Sequence, residues 1–117
     1  MRTEVCATVR LPAFHRWPDA PEDVGYLRSR HRHLLTVRVW MAVRHANREV
    51  EFHQLQRQIS ALLLDLLPAC NPGELEMGAF SCEHVANLLY ENADRLCGTP
   101  SVVEVWEDDE NGVRVWP

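Results

Sequence analysis

His15, His31 and His33 are the residues of this chain whose type and spacing can do chemistry together. His31 and His33 stand two apart at the head of Leu34-Leu35-Thr36-Val37-Arg38-Val39-Trp40-Met41-Ala42-Val43, a run rich in Val, Leu and Thr and free of Gly and Pro. Such a run reads as a β-strand from about residue 31 to 44. Side chains alternate along a strand, so these two imidazoles share a face and lie about 6–7 Å apart along the backbone. His15 ends an earlier strand-like stretch and can complete the set. Three neutral imidazole nitrogens leave one tetrahedral position of a metal ion open, which separates a catalytic or ligand-binding zinc from a structural one. Zinc is the expected ion, although imidazole also suits iron and nickel.

The elements that must position this trio are legible from hydrophobic periodicity. Thr3 to Leu11 alternates, with Val5, Ala7, Val9 and Leu11 on one face, and predicts a half-buried strand. Pro18, Pro21, Asp19, Asp23 and Gly25 mark residues 12–29 as a long loop, a length usually reserved for function. Phe52, Leu55, Ile59, Leu62, Leu63 and Leu66 recur at helical spacing over Glu51 to Leu66, and Pro68 stops that helix. Asn71-Pro72-Gly73 opens a second loop reaching Phe80. Ser81 is a natural N-cap for a second helix carrying Val85, Leu88, Leu89 and Leu96, with Glu83 in its first turn and Gly98 as its stop. Val102 to Glu107 and Val113 to Trp116 read as two strands around Asp108-Asp109-Glu110-Asn111-Gly112, whose Asn-Gly is a strong hairpin signal. The order strand, strand, helix, helix, strand, strand predicts one α+β domain over residues 1–117, an antiparallel four-stranded sheet with both helices on one face. Its open edges call for blunting or for pairing with another copy.

Composition narrows the class of partner. Charged residues at 25% and apolar residues at 46% are ordinary globular values. A net charge of −5 offers no electrostatic footprint for nucleic acid or an anionic membrane surface. Arg28, Arg30, Arg32 and Arg38 cluster near the histidines and form either a local basic patch for an anionic small molecule or a solvated strand edge. Cys6, Cys70, Cys82 and Cys97 show neither a C-x-x-C pair nor a disulfide framework. With no apolar run near the length of a membrane span and no secretory leader pattern, the expectation is a cytoplasmic protein with reduced thiols.

Order and spacing together resemble one family. Phe14-His15, the sixteen-residue step to His31-Arg32-His33, Glu51-Phe52 at the first helix, Ser81-Cys82-Glu83-His84-Val85-Ala86 and Val105-Trp106-Glu107-Asp108 are similar to the motifs of the 6-pyruvoyltetrahydropterin synthase and 6-carboxytetrahydropterin synthase family. The likeness runs from Thr3 to Trp116 and rests on motif order, because each motif is short. It implies the tunnelling, or T-fold, architecture (ββααββ), with sheets closing into a β-barrel ring of a homo-oligomer, a hexamer. It further implies that His15, His31 and His33 hold zinc and that Glu107 grips the pyrimidine edge of a pterin. A carboxylate accepts two parallel hydrogen bonds from a 2-amino-4-oxo-pyrimidine edge, and zinc polarises oxygens of the substrate side chain.

The departures from the family bear on turnover. Its proton-relaying cysteine falls on Leu27, its Asp-His pair falls near Leu67-Pro68, and Arg32 replaces the glycine between the two histidines. His84, beside Glu83 at the start of the second helix, is a candidate substitute base, and Glu83 a candidate for a further catalytic or ligand contact. Cys70 and Cys82 are candidates to replace the missing thiol, although free cysteines are commonly small buried apolar residues. A charged solvated turn is the plainer account of Glu107 among Asp108, Asp109 and Glu110, and the resemblance favours an anchoring role. His45 and His53 read as structural or solvated. Two functions are therefore expected: zinc-dependent lyase-type chemistry on dihydroneopterin triphosphate or a related pterin or purine, or a non-catalytic relative that binds such a ligand or serves as an assembly subunit.

Overall fold

Alternation of apolar and polar side chains shapes the sheet of this protein. A computed structural model describes residues 1–117, with strands β1 (Thr3–His15), β2 (His31–Val43), β3 (Leu75–Gly78), β4 (Val102–Glu107) and β5 (Asn111–Val115). They lie in one sheet in the order β3-β1-β2-β4-β5. Pairing is antiparallel except that β3 runs parallel to β1. The register aligns the apolar positions into rows: Ala7 faces Val39, Val39 faces Val103 and Val103 faces Val115. A second row joins Val9, Val37, Val105 and Val113. Helices α1 (Phe52–Leu66) and α2 (Cys82–Glu91) cover this face with Leu55, Ile59, Leu62 and Leu63 of α1 and Val85, Ala86 and Leu89 of α2. All of these helix residues belong to one core cluster of 21 buried residues.

Both helices are capped by the side chains that precede them. The Glu51 carboxylate accepts from the His53 and Gln54 N–H groups, and the Ser81 hydroxyl accepts from the His84 N–H. The Glu51 carboxyl is thereby held below the usual carboxylate range, first by the His53 hydrogen bond.

Several elements differ from the periodicity reading. The sheet has five strands and is mixed, because Leu75–Gly78 pairs with β1 where a loop was expected. Strand β1 continues through Pro12 to His15 instead of ending at Leu11. Proline is tolerated there because β3 begins to pair only at Ala13, which leaves that side of β1 without a partner at Pro12. The remainder of the expected loop contains a short 3₁₀ helix, Glu22–Arg28. Helix α2 ends at Glu91 rather than near Leu96, since the Asn92 side chain donates to the Leu88 carbonyl and closes the last turn. The β4–β5 hairpin forms with a turn at Asp108-Asp109-Glu110, the first two at positive φ, while Asn111-Gly112 already belongs to β5. Gly112 is needed there because the Trp106 indole crosses its Cα, occupying the space of a side chain.

Candidate metal centre and cleft

Odd-numbered residues of β1, β2 and β4 face the helices, and the same parity carries His15, His31, His33 and Glu107. The apolar stripe of the core thus passes into imidazoles and a carboxylate at one end of the sheet. His15 lies directly opposite His31, and His33 lies opposite Ala13. Glu107, opposite Leu35, is diagonal to His33, within reach of a long side chain. Ring centroids of the three histidines are 4.4 Å (His15–His31), 4.9 Å (His15–His33) and 4.9 Å (His31–His33) apart. One donor nitrogen from each lies within 4.8 Å of the other two.

The outer nitrogens of the rings decide which tautomer each adopts. His31 Nδ1 is 2.7 Å from the Ser29 carbonyl oxygen and His15 Nδ1 3.4 Å from the Phe80 carbonyl oxygen. His33 Nδ1 is 2.5 Å from Asp108 Oδ2. Carbonyls and carboxylates only accept, so each Nδ1 carries the proton and each Nε2 turns a lone pair inward. Nε2 of His15, His31 and His33 are buried and have no hydrogen-bond partner. Three convergent lone pairs, on rings whose other nitrogens are already engaged by Phe80, Ser29 and Asp108, fit a borderline-soft cation such as zinc. Asp108 also accepts from the Leu34 N–H at 2.8 Å, and its carboxyl is held below the usual range, first by His33 and then by Leu34.

Burial lowers the pKa of His15, an effect only partly offset by the Glu107 carboxylate. In the metal-free protein the folded chain therefore binds this proton later than the unfolded chain does. Stability rises with pH across that window and falls as pH drops below the ordinary imidazole value of 6.5. Urea unfolding of metal-free protein should give a lower midpoint at about pH 5.5 than at about pH 7.5. Equal midpoints would contradict a buried neutral His15.

Above the trio opens a cleft of about 510 Å³, in the size range of small-molecule sites. His15, His31 and Glu107 form part of its lining. Trp17, Leu27 and Phe80 supply apolar walls, and Glu83 and His84 also line it. The His84 imidazole stacks on the Phe80 ring at 3.9 Å. Cys82, which sequence reasoning treated as a doubtful substitute thiol, also lines the cleft and donates from Sγ to Glu107 Oε1 at 3.1 Å. Burial first, and then that carboxylate, push its pKa well above the usual thiol range. Cys70 and Cys97 are exposed and lie outside the cleft, and all four cysteines are free. Leu67 is buried in the core and Pro68 bridges to Leu75, so neither lines the cleft. His45 pairs loosely with Glu49 at 3.6 Å, and neither it nor His53 lines the cleft.

Of the two readings open for Arg28, Arg30, Arg32 and Arg38, a basic patch at the cleft does not form. Arg28 Nε donates to the Ala20 carbonyl, while Arg30 forks onto Glu76 and stacks over Phe14 at 3.9 Å. Arg32 and Arg38 have even parity and project from the sheet face opposite the trio. Arg16, which the sequence reading did not single out, is the one arginine lining the cleft. No helix is long and apolar enough to cross a membrane.

No family model and no curated protein matches the sequence. Solved structures do match. A 6-pyruvoyl tetrahydropterin synthase from Caenorhabditis elegans superposes with a TM-score of 0.68 at 12% identity, over 100% of this chain and 96% of that one. An uncharacterized protein from Wolinella succinogenes gives 0.59 at 15% identity, over 99% and 98%. At these identities the common property is the backbone architecture, and the α+β fold of this chain is similar to that of the Caenorhabditis elegans 6-pyruvoyl tetrahydropterin synthase.

Proposed function

We propose that the protein is a zinc-dependent, divergent relative of 6-pyruvoyl- and 6-carboxytetrahydropterin synthases that takes dihydroneopterin triphosphate or a related pterin or purine. The observation that carries this reading is the convergence of three unpartnered Nε2 atoms under a cleft with Glu107 beside them. His15, His31 and His33 would hold the ion, and Ser29, Phe80 and Asp108 fix their rings. Zinc would supply Lewis acidity toward oxygens of the ligand side chain. Glu107 would orient the ring through a bidentate hydrogen-bonded edge, and Trp17 and Phe80 offer apolar surface to its faces. His84 and Glu83 are the candidate proton carriers for lyase-type chemistry.

A specific observation favours the second reading, a binding protein or assembly subunit without turnover: Leu27 lines the cleft where the family resemblance calls for a thiol. In both readings the protein is cytoplasmic and a ring-forming homo-oligomer, a hexamer. The four free cysteines and the unpaired outer edge of β5 support this.

Incubating zinc-loaded protein with dihydroneopterin triphosphate should release triphosphate or acetaldehyde. Ligand-induced stabilisation without release would establish the binding reading instead. Absence of both would overturn pterin recognition, and a monomeric mass in solution would overturn the ring.

A further inference from the structure

The sheet face turned away from the trio carries the even-numbered residues of β1, β2, β4 and β5. Within the strands it holds Arg10, Arg32, Arg38 and Arg114 against Glu4 and Glu104, a positive balance in a chain whose net charge is −5. Both acids are already engaged. Arg2 Nη2 lies 3.4 Å from Glu4 Oε1, and the two oxygens of Glu104 accept from the indole Nε1 of Trp40 at 2.8 Å and of Trp106 at 3.2 Å. Arg114 has no such partner, and its guanidinium lies over the Trp116 ring at 5.8 Å.

At the end of this face remote from the histidines opens a groove of about 780 Å³, the size of a small-molecule site. Trp40, Trp116, Val102, Ser101, Arg2 and Arg114 line it, and it shares no residue with the cleft over the trio. Trp40 pairs with Val102 across β2 and β4, and Trp116 follows Val115, the partner of Val103. The two indoles therefore stand on either side of Val102, two strand spacings or about 10 Å apart at the backbone. A flat ring between two others needs about 7–8 Å, twice a carbon–carbon contact, so the slot takes one ring. Because its N–H is engaged by Glu104, Trp40 is a fixed wall that offers only its π surface. Trp116, 63% exposed, is the open wall.

We propose that this groove is a second ligand site, for a nucleoside phosphate, with the base between Trp40 and Trp116 and the phosphate on Arg114. Each part answers an observation. An indole pair takes a flat ring through its faces, whatever its edge carries. An arginine without a carboxylate partner takes an anion, and phosphate matches its planar fork. A neutral aromatic molecule would leave Arg114 unused, and a bare phosphate would leave both indoles uncovered. A single strand of nucleic acid carries the same two groups, but one indole pair and one unpartnered lining arginine are the set for one nucleotide. The site is independent of the metal reading above.

Equilibrium dialysis of the full chain against adenosine 5′-monophosphate, adenosine and ribose 5-phosphate tests this. Wild-type protein should bind the monophosphate saturably and each partial ligand about 10-fold more weakly. Arg114→Gln should bind the monophosphate only as well as wild type binds adenosine. Trp116→Ala should lose about 10–100-fold toward nucleotide and nucleoside alike. Both residues are exposed, and circular dichroism checks that the variants are folded. In Trp17→Phe protein the remaining tryptophans, Trp40, Trp106 and Trp116, all belong to this face, so quenching of its emission by the monophosphate locates the ligand away from the metal cleft. Should that variant not fold, the dialysis arms decide alone. No saturable binding to wild type, or binding undiminished in Arg114→Gln and Trp116→Ala, would overturn the proposal. So would a single-stranded oligonucleotide that binds while the monophosphate does not. A Trp116→Ala chain that changes its mass in solution but keeps full nucleotide affinity would make the face an interface between copies instead.

Discussion

Changing His31 and His33 together to alanine should abolish zinc binding while leaving the chain folded. One imidazole, even with Glu107 beside it, cannot hold a tetrahedral ion that needs four donors. The fold should survive because the two residues lie beyond the packed rows: the nearest buried core positions on β1 and β2 are Ala13 and Leu35, and the helices pack further along the sheet. A buried polar atom without a partner costs roughly 1–3 kcal/mol, and the metal-free wild type has three such nitrogens. The metal-free double variant should therefore melt no lower than metal-free wild type, and zinc should raise Tm only for the wild type. Elemental analysis per chain, circular dichroism and thermal melts check all three statements. A double variant that retains zinc, or a wild type that never takes it up, would refute the assignment.

The second large effect is expected one shell out, at Asp108. Its carboxylate accepts from His33 Nδ1 and from the Leu34 N–H, while its own N–H donates to the Leu34 carbonyl. It orients the His33 ring and fastens the hairpin turn to β2. Asp108→Ala should weaken zinc binding about 10–100-fold, the usual consequence of removing an outer partner of a ligating histidine. Asp108→Asn tests the cause. Asparagine tolerates the left-handed backbone found here at φ 54°, but it lacks the charge. It should preserve the turn and recover only part of the affinity. Competition against a chelator of known strength gives both numbers. Equal affinities in wild type and Asp108→Ala would show that the contact serves the turn alone.

Much of this arrangement was written in local pattern. Alternation through Val5, Ala7 and Val9 and through Val37, Val39 and Met41 gave both long strands, and the leucine spacing gave both helices. The parity of His31 and His33 within β2 already set their common face. What stayed hidden depends on distant partners. Leu75–Gly78 is four residues long and becomes a strand only because β1 lies beside it, a pairing some sixty residues away in sequence. The hairpin itself was legible, but its turn is shorter than the Asp108–Gly112 span, because Asn111 and Gly112 pair with Glu107 and Trp106. The contacts of Asp108 to β2 and of Asp109 to Thr36 hold the left-handed residues in place. Cys82 at the carboxylate could not be read from spacing, since α2 and β4 meet only in three dimensions. The arginines are kept from the cleft for a different reason: strand parity carries Arg32 and Arg38 to the other face of the sheet, and local partners hold Arg28 and Arg30.

The pairing of His15 with His31 across β1 and β2 has one more consequence. A slip of either strand by a single residue sends its imidazoles through the sheet to the opposite surface, where no second donor waits. Under the proposed metal reading, ion uptake would then be a built-in proofreading signal. Chains with an alignment error would stay empty, and the fraction of molecules holding an ion would count those that paired their first two strands correctly.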